Sequence, residues 1–334
     1  MNAQRPICIA GAGSIGCFVG GMLAVAGRKV SLLARPRVIE GIARNGLQLT
    51  SFEGGRWHLR AEQVAASADP AIMKDAGIVI VAVKSGDTAE MAGHIARHAA
   101  EDAVIVSLQN GIGNVAILKE ALPGRRVLGG MVPFNVVTRD DGTVHRATSG
   151  ALVVEGDSDD IAARLAVAHL PVQSTQNIAG IQWGKLLVNL SNALNALSDL
   201  PLHAQLQQRA WRLLLADQIA EGLAVLRASG ISPVAPTAMP IWLTPHLLRL
   251  PDGLFGLILR RVMKIDINAR SSMWEDLQRG RPTEIDYLQG VVVQLADQYR
   301  IATPLSRRVI DLVKAAERAK CGSPALSAQD IRGL

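Results

Sequence analysis

Residues 6–34, PICIAGAGSIGCFVGGMLAVAGRKVSLLA, decide the fold. The apolar run 6–10 leads into the glycine cluster 11–16, Cys17 to Ala26 reads as a buried helix, and Lys29 to Ala34 is a second apolar run. Strand, glycine turn, helix and strand within about 30 residues is the layout of a dinucleotide-binding unit. Gly11, Gly13 and Gly16 satisfy GxGxxG. The first glycine permits a tight turn, the second lets backbone approach a pyrophosphate, and the third lets helix and strand pack closely. The helix N-terminus then faces the phosphates. Alone such a motif is weak, because glycine turns serve many structural ends; here the flanking strand and helix supply its context.

An NAD-selective site usually ends its second strand in Asp or Glu, which bonds the ribose 2′-hydroxyl. Here the strand runs into Ala34, Arg35, Pro36 and Arg37. Arg35, with Arg37 beside it, can hold a 2′-phosphate through charge-assisted forks, which favours NADP(H). The plainer reading of either arginine is a solvated loop charge.

Farther along, Gly77 to Val83 (GIVIVAV) and Ala103 to Leu108 (AVIVSL) are continuous apolar runs, as expected of parallel strands covered on both faces. Shorter β segments follow in GTVHRA from Gly142 and ALVVEG from Ala151. The expected sheet is mostly parallel and doubly wound. Past Pro171 the character changes: from Ile181 the spacing is helical, broken at Pro201, SGISP, the stretch Pro233 to Pro245, PDG and GRP. These breaks divide the chain into an α/β domain over 1–175 and a helical domain over 178–334.

The totals agree with that plan. A chain of 334 residues is long for one core, and 49% hydrophobic with 19% charged residues fits a globular α/β protein. The net charge of +6 admits anionic ligands or a merely basic surface. Nucleic acid is a poor fit, with 3% aromatics, scattered basic residues and no recognition motif. Cys8, Cys17 and Cys321 form neither a disulfide framework nor a zinc pattern, so no metal is expected. No apolar run approaches the ~18 residues of a membrane helix, and a cytoplasmic protein is expected.

The sharpest chemical question lies in residues 182–197, QWGKLLVNLSNALNAL, an apolar helix with one lysine and three asparagines. At about 100° per residue Asn189 lies ~40° from Lys185, Asn192 ~20° on the other side, and Asn195 about 80° away, more peripheral. A lysine with two amides on a buried helix suggests a polar cleft, since an unpaired ammonium in an apolar interior is costly. Snorkelling, or pairing with a carboxylate, remains open. A second polar stretch, 268–287 (NARSSMWEDLQRGRPTEIDY), offers such a carboxylate. Pro282 suits the first position of a helix, which places Glu284 in its first turn and Ile285, Leu288, Val292, Leu295 and Tyr299 on its apolar stripe. First-turn glutamates usually do no chemistry.

Taken in order, GAGSIG, LLAR, VAVK, QNGIG, WGKLLVN, SSMWEDL and RPTEIDY resemble the ketopantoate reductase (2-dehydropantoate 2-reductase) family over nearly the whole chain. The resemblance implies an N-terminal Rossmann domain, an all-helical C-terminal domain, and a cleft between them in which NADPH reduces a 2-keto acid, on the route to pantothenate. It implies that Gly11, Ala12, Gly13, Ser14, Ile15 and Gly16 hold the pyrophosphate and Arg35 the 2′-phosphate. Lys84 and Asn110 line the cofactor, Asn110 also reaching substrate, and the loop at Phe134 offers a backbone contact. Lys185 matches the proton donor, Asn189 a substrate amide, Ser272 a contact to the substrate carboxylate, and Glu284 a residue shared by cofactor and substrate hydroxyl. Read without the family, Lys84 and Asn110 could end strands on solvent and Ser272 could cap a helix.

Two departures fall on the substrate side. The family's second helix amide is expected at Ala193, with Asn192 beside it able to substitute, and a further asparagine is missing near Leu202. The segment from Pro233 to Arg261 is also long, as an oligomer-facing or lid helix would be. The expected activity is NADPH-dependent reduction of 2-dehydropantoate to (R)-pantoate, with Lys185 and Glu284 catalytic. The alternatives are reduction of another 2-keto acid, or a redox sensor that binds NADP(H) without turnover. The expected partner is a small 2-keto acid, with no nucleic acid or membrane, and the assembly is left open between monomer and homodimer.

Overall fold

A computed structural model of the chain describes residues 5–156, 159–235, 239–262 and 269–333. Asn268 of the second polar stretch and residues 236–238 of the proline-rich segment lie outside the described residues. The chain divides into two compact units, Met1–Ala179 and Gly180–Leu334.

In the first unit the strands are β1 (Ile7–Ala10), β2 (Val30–Leu33), β3 (Leu47–Ser51), β4 (Arg56–Leu59), β5 (Ala65–Ser67) and β6 (Ile78–Val81). They continue as β7 (Val104–Ser107), β8 (Val127–Met131), β9 (Val136–Thr138), β10 (Val144–Arg146), β11 (Leu152–Glu155) and β12 (Val172–Thr175). Its helices are α1 (Ser14–Val25), α2 (Pro36–Asn45), α3 (Thr88–His98), α4 (Asn114–Ala121) and α5 (Ile161–Leu165). Eight strands form one sheet in the order β12-β11-β8-β7-β6-β1-β2-β5. The sheet is parallel from β5 to β8, and β11 then pairs antiparallel with β8. The other four strands make a smaller sheet, β4-β3-β10-β9.

Both faces of the large sheet are covered, which is why its strands are apolar without alternation. Ile7 and Ile9 join one apolar cluster with Phe18, Val19 and Met22 of α1, while Cys8 and Ala10 join another with Ala92 and Ile95 of α3. Burial raises the thiol pKa values of Cys8 and Cys17 to about 11 and about 12; Cys321 is exposed, and all three cysteines are free. The chain runs from β1 outward through β2 and β5, then returns to β6 on the other side of β1. That reversal creates a switch point at the carboxyl ends of β1 and β6, where ligands bind in sheets of this kind.

Helix α6 (Ile178–Asn189) crosses the unit boundary and is followed by α7 (Ser191–Ser198), α8 (Leu202–Gln207), α9 (Arg209–Ala228) and α10 (Thr244–Leu248). Then come α11 (Asp252–Val262), α12 (Ser272–Gln278), α13 (Gln289–Tyr299), α14 (Pro304–Ala319) and α15 (Ala328–Arg332). Among the described residues every strand precedes residue 176. None of the described helices is long and apolar enough to cross a membrane.

Arg212 in α9 is 1% exposed and ties the proline-rich segment to the bundle. Its guanidinium donates to the carbonyls of Leu206, Gln207, Leu248 and Leu250 and to the Asp252 carboxylate, and it stacks on the Phe255 ring at 4.3 Å. Glu221, also in α9, accepts from the N–H groups of Leu305 and Ser306 at the start of α14. A carboxylate from a neighbouring helix thus satisfies donors that the helix end leaves unpaired.

The single helix expected over 183–197 is interrupted at Leu190. The N–H of Leu190 still bonds to the Leu186 carbonyl, but its own carbonyl accepts from the buried amide of Gln289 in α13. A tertiary bond from 99 residues away replaces local continuity there. The helix expected from Pro282 is likewise corrected. Residues Ile285–Tyr287 make a short tight turn, Leu288 leaves helical geometry at φ −111 and ψ −90, and α13 starts only at Gln289. Its buried positions are Gln289, Val292, Val293 and Ala296, and Tyr299 is exposed.

Candidate active site

The first unit gathers its candidate residues at the carboxyl ends of its strands. Gly11 follows β1 with φ +106, and a methyl group there would lie 2.6 Å from the Val83 side chain and 2.7 Å from the Val83 nitrogen. At Gly16 it would lie 2.3 Å from the Gly11 carbonyl oxygen. Neither position admits a side chain. At Gly13, by contrast, a methyl group would meet nothing within 4 Å, so the turn is open on one side, as a cradle for a pyrophosphate must be.

Hydrogen bonding refines which backbone groups can serve. The N–H groups of Gly11 and Ala12 donate to the Leu33 carbonyl and that of Gly13 to the Gly11 carbonyl, so these three are already engaged. The amides left to an anion are those of the first turn of α1, at Ser14, Ile15 and Gly16, which have no carbonyl four residues back inside the helix. The Ser14 hydroxyl lies 2.9 Å from that of Thr138 and ties the turn to β9. Arg35 is exposed directly after β2, at the start of α2, where a 2′-phosphate would need it. The turn and its arginine therefore fit an NADP-type nucleotide.

Lys84 is exposed after β6, and Asn110 is partly buried after β7. Their turns are fixed by a buried polar network that sequence reading missed. The Ser85 hydroxyl and the Asn114 amide both donate to the Asn110 carbonyl. Asn114 also donates to Ser85 and accepts from Thr88, and Gln109 donates to Thr88 and the Val83 carbonyl. The usable signal was a run of small polar residues after two apolar strands, since buried polar groups must bond one another. Phe134 is buried edge-on to Phe18 at 5.8 Å with the Arg146 guanidinium over its ring, so its side chain belongs to the core. Only the backbone at Phe134 is left for a cofactor.

The second unit places Lys185 and Asn189 on α6 and Asn192 at the start of α7, all three partly buried. Gly184, beside the lysine, lets the chain at Val234 lie against α6; a methyl group there would lie 1.7 Å from the Val234 carbonyl oxygen. Burial lowers the pKa of Lys185 from 10.5 to about 8, and the negative charge of Glu284 works against that shift. Glu284 sits just before the Ile285–Tyr287 turn, in a bend and not in a helix.

Asn195, about 80° from Lys185 by helical angle, is fully buried. Its amide donates to the Leu200 carbonyl and accepts from the N–H of Ser271. The Ser271 hydroxyl in turn donates to the Asn192 carbonyl and caps α12 by accepting from the N–H of Trp274. Capping thus falls to Ser271, and Ser272 is exposed at the first position of α12, held close to Asn192 by its neighbour. The paired serines hid this division of labour, because Ser272 with Glu275 also has the capping-box spacing. Among the described residues no group of three His, Cys, Asp or Glu is placed to hold a metal ion.

The chain is similar to known proteins along both units. The pattern described as "Ketopantoate reductase PanE/ApbA" matches residues 7–157, and that of its C-terminal domain matches residues 177–317. A 2-dehydropantoate 2-reductase of Halobacterium salinarum is 30% identical, the match covering 93% of this chain and 99% of the relative. The crystal structure of a PanE/ApbA family ketopantoate reductase from Ralstonia eutropha superposes with a TM-score of 0.80 at 32% identity, covering 94% of this chain and 99% of that one. D-mandelate dehydrogenase with NADH and anilino(oxo)acetate shares the fold, with a TM-score of 0.78 at 22% identity over 94% of this chain and 99% of that one.

Proposed function

The chain belongs to the ketopantoate reductase family, whose members are NADP-dependent oxidoreductases, and from that premise we propose that it reduces 2-dehydropantoate to (R)-pantoate with Lys185 as proton donor. The observation that carries this reading is the state of Lys185: an amine on an apolar helix, brought by burial to about 8 and countered by Glu284. A general acid works best when its pKa lies near the operating pH.

Bound NADPH supplies the hydride for C2 of the keto acid. As charge grows on the carbonyl oxygen, the Lys185 ammonium stabilises it and gives up a proton to form the alcohol. The neutral amine left behind suits its surroundings, since burial is what disfavours its charge. Glu284 keeps the amine protonated before the reaction and accepts from the substrate hydroxyl. Asn110, Asn189, Asn192 and Ser272 orient the acid, and holding the carbonyl in place supplies the proximity contribution to the rate.

On the nucleotide side, the first turn of α1 holds the pyrophosphate, with Lys84 and the backbone at Phe134 along the cofactor. Arg35→Ala is expected to raise KM for NADPH roughly 10- to 100-fold, the value of one or two charge-assisted bonds, with KM for NADH little changed. Steady-state kinetics with both cofactors checks this. An equal loss with each would remove Arg35 from the 2′-phosphate.

A second reading, reduction of another branched 2-keto acid, is favoured by the substrate-side departures. Ala193 is fully buried and apolar, and Leu202 opens α8 where the family has an amide. A panel of 2-keto acids decides between them: the highest kcat/KM is expected for 2-dehydropantoate, and a higher value for another acid would reject the narrower assignment. NADPH binding without turnover of any acid would leave a sensor instead. The reading includes a cytoplasmic location, supported by the free cysteines, and a homodimer, supported by the ketopantoate reductase of Staphylococcus aureus, which is described as dimeric.

A further inference from the structure

We propose that Glu317, on α14, is a positioning residue that holds Glu284 in place for Lys185 by gripping the residue on its N-terminal side, Thr283. The inference rests on the reading of Lys185 as donor and Glu284 as its acidic partner.

The segment that carries Glu284 has little regular structure to hold it. It lies between α12 and α13, and its turn bonds include those from the N–H of Tyr287 to the Glu284 carbonyl and from that of Leu288 to the Ile285 carbonyl. Side chains of α14 supply what the backbone lacks. One carboxylate oxygen of Glu317 accepts both from the N–H and from the hydroxyl of Thr283, each at 2.7 Å. The Thr283 hydroxyl oxygen accepts in turn from the N–H of Ile285 at 3.3 Å, so the bonds pass to both sides of Glu284. Glu317's other oxygen lies 3.3 Å from the ammonium of Lys314, which lies 2.6 Å from Asp286.

Residues 283, 285 and 286, on either side of Glu284, are thereby fixed. Bonds to an ionised acceptor are about twice as strong as neutral ones, and the Glu317 side chain, 15% exposed, is well shielded from water. Burial alone would raise its pKa, but the bonds from Thr283 and the nearby Lys314 charge hold it below the ordinary glutamate value. The clamp is therefore charged throughout the neutral range.

Releasing it lets Glu284 move away from Lys185, whose amine then loses the charge that opposes its burial. Glu317→Ala is expected to shift the alkaline limb of kcat downward by about one pH unit and so to lower kcat roughly fivefold at pH 8. Glu317→Gln keeps an amide oxygen for Thr283 but makes only neutral bonds, and is expected to restore part of both; the displaced alkaline limb is the readout that loss of stability alone would not move. Should Glu317→Ala not fold, Thr283→Val reads the same clamp from its other side.

Glu284→Gln, measured in parallel, separates the two ideas. If it leaves the alkaline limb in place, the role given to Glu284 fails and the clamp with it. If it shifts the limb while folded Glu317→Ala and Thr283→Val do not, the clamp alone is overturned.

Discussion

Lys185→Ala is expected to lower kcat for 2-dehydropantoate reduction by roughly 10² to 10⁴-fold, the usual worth of a positioned general acid, with NADPH affinity nearly unchanged. Turnover needs the ammonium, so in the unaltered protein kcat for reduction should fall as pH rises through about 8, and oxidation of the alcohol, which needs the neutral amine, should rise over the same range. Both dependences should vanish in the variant. Stability gives an independent check. Because the folded-state pKa lies below 10.5, the folded chain binds this proton less tightly than the unfolded chain. The cost of the buried charge is then present in full below pH 8 and is relieved between about 8 and 10.5. Lys185→Met, which keeps the length and drops the charge, should be at least as stable as the parent at pH 7 while remaining inactive. Wild-type turnover in either variant would end the mechanism.

The second large effect is on stability alone. Arg212→Ala should destabilise the helical unit by about 3 to 5 kcal/mol, in the tail reserved for broken buried networks. The loss follows from what the guanidinium leaves behind: four backbone carbonyls, of Leu206, Gln207, Leu248 and Leu250, lose a donor together, and each buried acceptor left unmet costs about 1 to 3 kcal/mol before relaxation and water entry. Asp252 contributes less, being 66% exposed and able to turn to solvent. Arg212→Lys should recover only part, because an ammonium has three donors and no planar fork. Urea unfolding should be followed with a probe in each unit, since a chain of two compact units need not unfold in one step. A change below about 1 kcal/mol would mean that water replaces the arginine easily.

The fold of the first unit was largely legible in the sequence because its signals are local. The glycine spacing 11–13–16, the continuous apolar runs and an arginine after β2 are each settled within a few residues of chain. The helical half was legible in type and poorly legible in detail, since long-range bonds decide it. Nothing in KLLVNLSNAL announces a break at Leu190; the break depends on Gln289. The bonds of Asn195 to the backbone at Leu200 and Ser271 likewise cannot be inferred from spacing. Pro282 suggested a helix start, but the bonds to Thr283 come from Glu317, 34 residues on, and the helix begins past them.

The thiols carry a practical consequence. Cys8 and Cys17 lie in the core of the first unit with their thiolates suppressed, and Cys321 lies exposed in the second. A maleimide dye meets a single reactive address on the folded chain, without mutagenesis. The two hidden sulfurs become a tally of how often the first unit opens, readable by mass from the number of labels each molecule has taken up.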